Sequence, residues 1–135
     1  MCLIIDDKKT AEFKRANMGE VEFHKVFLLN KGRLSPLFQV HLDYAEDEGD
    51  DGWIRAPEKN RDMEEEGAVQ GGAYHAYLNK GRAEEIKKFM TGVRARSTTI
   101  VRSVTVPTES VVAVGRENDV AFTKMKVDVH KGERF

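Results

Sequence analysis

Four polar side chains in this chain of 135 residues have the types that a small transferase or hydrolase uses: His24, Ser35, His75 and Glu109. Histidine titrates close to neutral pH, so His75 can serve as acid, base or switch. It stands in Gly71-Gly72-Ala73-Tyr74-His75-Ala76-Tyr77-Leu78, behind a double glycine and between two tyrosines. An enzyme built this way would place a basic residue on a first strand (His24), a serine on a second (Ser35) and a late acid (Glu109), all converging on His75. Trp53, Tyr74 and Tyr77 are the aromatic side chains available to line a ligand site near it. The spacing does not require this convergence, and the commoner fate of a mid-strand histidine is structural, bonded to a backbone carbonyl across the sheet.

A second constellation runs from Asp47 to Glu58, Asp-Glu-Gly-Asp-Asp-Gly-Trp-Ile-Arg-Ala-Pro-Glu. Asp47, Asp51, Gly52 and Glu58 fall at the first, fifth, turn and last places of a twelve-residue calcium loop, so Asp47, Asp51 and Glu58 are candidate metal ligands; no cofactor is predicted, and weak calcium binding is the minority alternative that this spacing allows. Gly49 offers no side-chain oxygen at the third place, and Pro57 opposes the helix that should leave such a loop. The competing reading is an acidic, solvated loop. Cys2 would become a terminal nucleophile if Met1 were removed; hydrolases of that kind need two stacked sheets, and a lone cysteine is ordinarily a small buried hydrophobe. Arg82, Lys87, Lys88, Arg94, Arg96 and Arg102 gather beside Tyr77 and Phe89, where they would touch phosphates or simply form a solvated face. Gly71-Gly72 precedes a strand, so it is no phosphate-cradling loop.

These residues need elements to position them. Cys2 to Ile5 predicts a short buried strand ended by Asp6 or Asp7. Thr10 to Met18 has helix-tolerant residues without a clean apolar stripe. From Glu20 to Leu29 the chain alternates, with Val21, Phe23 and Lys25 on one side and Glu22, His24 and Val26 on the other, then turns wholly apolar. Asn30-Lys31-Gly32-Arg33 predicts a tight turn, and Leu34 to Leu42 a partner strand entered at Pro36, which makes a hairpin. The stretch from Asp43 to Gly72 reads as a long acidic excursion around one short strand at Gly52 to Ala56. The Tyr74 to Leu78 strand delivers the chain into a helix over Arg82 to Thr91, capped by Asn79, ended by Gly92, with Ala83, Ile86, Phe89 and Met90 on its buried face. Three β-rich segments follow, Thr98 to Val106, Val111 to Val114 and Val120 to Val129, the last two an antiparallel pair. The fold class is α+β, a mostly antiparallel sheet with one principal amphipathic helix packed on a face, in a single domain over 1–135.

Composition bounds the rest. Hydrophobic residues make up 40% and charged ones 33%, enough for one core, and 22 basic against 23 acidic residues leave a net charge of -1, so no global field draws the chain to nucleic acid or anionic lipid. One cysteine excludes an internal disulfide. No stretch approaches the roughly 20 apolar residues of a membrane helix, and the first residues are too short for a signal peptide. A cytoplasmic location is expected, without a membrane partner and with nucleic acid disfavoured. A homo-oligomer is compatible with the final strand pairing across a dimer.

Met1-Cys2-Leu3, His24-Lys25-Val26-Phe27, Leu34-Ser35-Pro36-Leu37-Phe38, Gly72-Ala73-Tyr74-His75-Ala76-Tyr77 and Val111-Val112-Ala113-Val114-Gly115 occur in an order that resembles a family of small bacterial and bacteriophage proteins. Its members open Met-Cys-Leu and carry a Tyr-Lys-Val-Leu strand, a Ser-Pro-aromatic step and a Gly-x-His-aromatic strand. This chain departs by having His24 in place of tyrosine and two residues between Gly72 and His75. The resemblance implies a compact phage or prophage-type cytoplasmic protein and no particular activity. With no complete catalytic set, the favoured expectation is a small binding or regulatory protein acting on a host protein or small ligand. The alternative is a small transferase, ADP-ribosyltransferase-like, or a hydrolase, centred on His75.

Overall fold

A computed structural model of the chain describes residues 3–36, 44–56, 68–69, 73–93 and 98–135. The elements in order are β1 (Leu3–Ile4), α1 (Asp7–Ala16), β2 (Glu20–Asn30), β3 (Arg33–Pro36), α2 (Tyr44–Asp47), β4 (Ile54–Arg55), β5 (Ala68–Val69), β6 (Tyr74–Tyr77), α3 (Lys80–Val93), β7 (Thr98–Pro107), a 3-10 turn (Thr108–Ser110), β8 (Val111–Val114), β9 (Asp119–Phe122) and β10 (Lys124–Val127). The α+β class holds: an eight-stranded sheet runs β4-β10-β7-β2-β6-β9-β8, with β3 also on β2, and every pairing between its strands is antiparallel. A separate two-stranded ladder joins β1 to β5.

The sheet is organised by β2, the long strand predicted from alternation. It pairs with β7 in unbroken register from Glu20↔Pro107 to Leu29↔Thr98. Its other edge is shared, because His24 faces Tyr77 of β6 while Phe27 to Asn30 face β3. The hairpin turn is tight because Lys31 and Gly32 both take positive φ, 51° and 79°, the conformation a two-residue turn between antiparallel strands demands. Strand β3 starts at Arg33, so Pro36 does not open it as expected but lies opposite Phe27; the predicted continuation to Leu42 falls outside the described residues.

The segment expected as one strand over Val120 to Val129 is broken at Thr123. Before it β9 lies against β6 and β8; after it β10 lies against β7 and β4. Four strand spacings, about 19 Å in a flat sheet, separate β9 from β10 in the strand order, yet the two residues from Phe122 to Lys124 span at most about 8 Å. The sheet must therefore curl back on itself. Thr123 sits at the seam, where its N–H donates to the Ser110 carbonyl (3.0 Å) and its carbonyl accepts from Ala56 N–H (2.9 Å).

Curling gives the sheet an inner and an outer face. The inner face holds the main core, with Phe23, Phe27, Val104, Val106, Phe122 and Met125 among its buried members. A chain of ring contacts crosses it: Phe13 to Phe23 (5.7 Å), Phe23 to Phe122 (5.8 Å), Phe122 to Tyr74 (6.1 Å) and Tyr74 to Tyr44 (5.8 Å), with Phe27 and Phe135 edge-on to Tyr44. These separations lie within the favourable range for tilted and edge-to-face pairs. Helix α1 contributes Phe13 but buries no residue fully, which is why its sequence shows no stripe. It starts earlier than predicted because the Asp6 side chain accepts from Lys9 N–H at 3.0 Å as an N-cap.

Helix α3 covers part of the outer face. Ala83 and Met90, with Ile86, pack on Val26, Leu28, Tyr77 and Val101. Asn79 caps it as predicted, accepting from Arg82 N–H at 2.7 Å. Two expectations fail: the helix runs through Gly92 to Val93, and Phe89 is 69% exposed. At about 100° per residue, Phe89 points well away from the stripe that Ala83, Ile86 and Met90 define.

Candidate functional site

Strand register assigns the site residues that lie on paired strands to a face. His24, Tyr77 and Asp119 lie directly opposite one another on three adjacent strands, and Ser103 of β7 faces His24 from the other side. Side chains in register share a face, so Ser103, His24, Tyr77 and Asp119 form one row across the outer face. Tyr77 is the covered member, under α3. Burial, and then the Asp119 carboxylate, raises its hydroxyl above the usual tyrosine range. Burial likewise raises Asp119, one of whose carboxylate oxygens is buried without a hydrogen-bond partner.

His75 shares this face, two residues before Tyr77 and opposite Ala121. Its Nε2 is buried with no partner, and burial, followed by the charge of Lys25, pulls its pKa down to about 4. At neutral pH the ring is therefore neutral. The contact expected of a structural histidine is made by its backbone instead: the His75 carbonyl accepts from Lys25 Nζ at 2.7 Å. Strand β6 leaves β2 just here, so the lysine fills the fork where β2 passes from β6 to β3. Lys25 is 6% exposed, and burial drops its pKa from 10.5 to about 7.

The other two members of the suggested catalytic set lie elsewhere. Ser35 faces Leu28 across the hairpin, four residues along β2 from His24, or about 13 Å. Glu109 stands exposed in the 3-10 turn after β7, beyond the end of β2 that carries Glu20. The structure thus brings His24 and His75 to one face and does not bring Ser35 or Glu109 to them.

Tyr74 points to the inner face, where its hydroxyl donates to Asp47 Oδ2 at 2.8 Å. Asp51 holds Arg55 through both oxygens, at 3.1 and 2.7 Å, and accepts from Trp53 N–H at 3.1 Å. The bonded guanidinium keeps the Asp51 carboxyl well below the usual carboxylate range. Gly52 has φ +82°, so the turn expected there is present. Asp47 and Asp51 are thus engaged by different parts of the protein, and Glu58 lies outside the described residues. Among the described residues no three His, Cys, Asp or Glu side chains gather as a metal site would require. Cys2, Gly71, Gly72, Arg94 and Arg96 also fall outside them.

Three of the described members of the basic zone are paired. Arg82 bonds Glu85 and Glu117, Lys87 lies 3.8 Å from Glu84, and Arg102 reaches Glu133 from the inner face. A different cation cluster appears on the outer face beyond α3. Lys124 and Lys126 set their ammonium groups 4.8 and 4.7 Å from the centre of the Trp53 ring. Lys124 also lies directly opposite Arg55. Trp53 was the aromatic residue that composition singled out; its partners come from a strand more than 70 positions later, and no short motif announces them.

Matched against family models, curated proteins and solved structures, the chain gives no match. No described helix is long and apolar enough to cross a membrane.

Proposed function

We propose that this is a small binding or regulatory protein of the phage or prophage type its short motifs resemble, working in the cytoplasm on a host protein or small ligand. The observation that supports this reading is the Trp53 cluster. Directly opposed like charges cost stability, and here Lys124 opposes Arg55 while a second lysine crowds the same indole. Among the described residues the carboxylate paired within the cluster is Asp51, and it is bonded to Arg55. A surface that concentrates positive charge around an aromatic ring on a sheet is suited to an anionic group on a partner.

The test is capture from bacterial lysate with three forms of the protein: wild type, Lys124→Met/Lys126→Met, and His75→Ala. The binding reading expects a partner retained by wild type and His75→Ala and lost by the lysine double variant. Retention by the double variant, with loss only in His75→Ala, would move the function to His75 and to the transferase or hydrolase alternative.

A further inference from the structure

The charge pattern around Trp53 narrows what the cluster can hold. Lys124 and Lys126 are two residues apart on β10, so they project from the same face about 7 Å apart. Arg55 stands directly across from Lys124. Arg55 has Asp51 as its partner, whereas the lysine ammonium groups meet the ring and, among the described residues, no carboxylate. Two ammonium groups held against one ring, with an arginine on the strand position opposite, suit a compact group with charge on several oxygens. A single planar carboxylate would be satisfied by one of them.

The surroundings limit the size of the anion. Thr105 faces Lys126 on one side and Glu22 on the other, so an exposed carboxylate lies two strands from the cluster. Exposed Glu20 sits on the same face of β2, and exposed Asp128 lies two residues past Lys126. An extended polyanion crossing this face would meet those carboxylates, while a ligand with one concentrated charge would not.

We propose that Lys124, Lys126 and Arg55 bind the phosphate dianion of a small phosphate ester, with the Trp53 indole holding the two ammonium groups in place. This rests on the binding reading above and specifies its ligand. Because the chain has a single tryptophan, the fluorescence of Trp53 reports the site directly. The full chain is titrated at constant ionic strength, near pH 8, with glycerol 3-phosphate, inorganic phosphate, succinate and a single-stranded oligothymidylate.

Expected is a saturable change with glycerol 3-phosphate at millimolar concentration or below, at least tenfold weaker binding of succinate and of the oligonucleotide, and at least tenfold loss of ester affinity in Lys124→Met/Lys126→Met. Tighter binding of inorganic phosphate than of the ester overturns the ester. Equal or tighter binding of succinate or oligonucleotide overturns the phosphate. An absent response to the ester, while lysate capture still depends on the lysines, sinks the ligand class and leaves the binding reading standing. Capture that ignores the lysines sinks the binding reading itself. Circular dichroism of the double variant establishes that it is folded, and Lys124→Arg/Lys126→Arg, which keeps the charges, should retain most of the ester affinity.

Discussion

The two faces of the curled sheet give the same side-chain types opposite surroundings. Lys25 on the inner face is almost fully buried, with the His75 carbonyl as its hydrogen-bond acceptor, and its pKa falls to about 7. Lys126 on the outer face is exposed and rests its ammonium against an indole. The ion pairs repeat the contrast. Arg102 and Glu133 keep side chains 17% and 8% exposed, while those of Arg55 and Asp51 are 46% and 50% exposed. Strand parity decides which environment a residue meets, so one position along a strand separates a stability element from a recognition element. The contrast predicts that inner-face changes act on folding, and that outer-face changes around Trp53, away from the core that α3 covers, act on binding.

The strongest way to break that contrast is to cut the aromatic chain. Phe23 is 1% exposed and touches both Phe13 and Phe122. Phe23→Ala should cost about 4 kcal/mol of unfolding free energy, the transfer of the ring plus the cavity it leaves. Trp53→Phe, on the outer face, should change stability by less than about 1 kcal/mol. Urea unfolding followed by circular dichroism measures both. Equal losses would mean that the Trp53 ring is a core residue and not a binding surface.

Much of this division can be read in the sequence. The alternation over Glu20 to Leu29 already set Lys25 beside Phe23, on the side that the structure buries. The turn at Lys31 and Gly32, the Asn79 cap and the short strand at Ile54 and Arg55 were legible from local chemistry, because each depends on neighbours in the chain, whereas the helix at Tyr44–Asp47 and the strand at Ala68–Val69 were not foreseen in the acidic stretch. The bend at Thr123 was not: no glycine or proline marks it, and it exists because the curled sheet brings Ser110 and Ala56 to either side. The Trp53 cluster was half legible. Trp53 stood out as an aromatic anchor, but the pairing of Lys124 with Arg55 is set by tertiary register. The set His24, Ser35, His75 and Glu109 was assembled from residue types alone; register sets Ser35 four residues along β2 from His24, and Glu109 lies in the turn after β7.

A smaller effect sharpens the comparison of ion pairs. Arg102 gives Glu133 two bonds, one from Nε to Oε1 at 3.0 Å. Arg102→Met should cost about 2 kcal/mol, between the value for a solvent-exposed pair and that for a fully buried one, because it leaves a poorly exposed carboxylate without its partner. Arg55→Met should cost much less, since Asp51 is solvated already. Denaturation at low and at high salt separates the two: salt should weaken the contribution of Arg55 and leave that of Arg102 largely unchanged. Equal salt dependence would place both pairs in the same solvent and erase the distinction between the faces.

The finest test uses pH, because the two groups at the β2–β6 fork titrate in separate windows with the same sign. The folded-state pKa of Lys25 lies near 7 and its ordinary value at 10.5. Between those values the unfolded chain binds a proton that the folded protein lacks, so stability rises with pH across that range and the cost of burying the charge is fully felt below pH 7. His75, displaced from 6.5 to about 4, adds stability that is complete above pH 6.5 and is lost as pH falls toward 4. Lys25→Met removes the upper slope and His75→Gln the lower one. Each variant also carries a constant offset, for instance the His75 carbonyl left without its donor. The informative quantity is therefore the wild-type unfolding free energy minus that of the variant, followed against pH. For Lys25→Met that difference should stay level below pH 7 and climb by about 1 kcal/mol per pH unit from there toward pH 10. For His75→Gln it should climb between pH 4 and 6.5 and then level off. A flat Lys25→Met difference from pH 7 to 10 would mean that the lysine keeps its proton in the folded protein, and that the inner face at the fork is as wet as the outer face around Lys126.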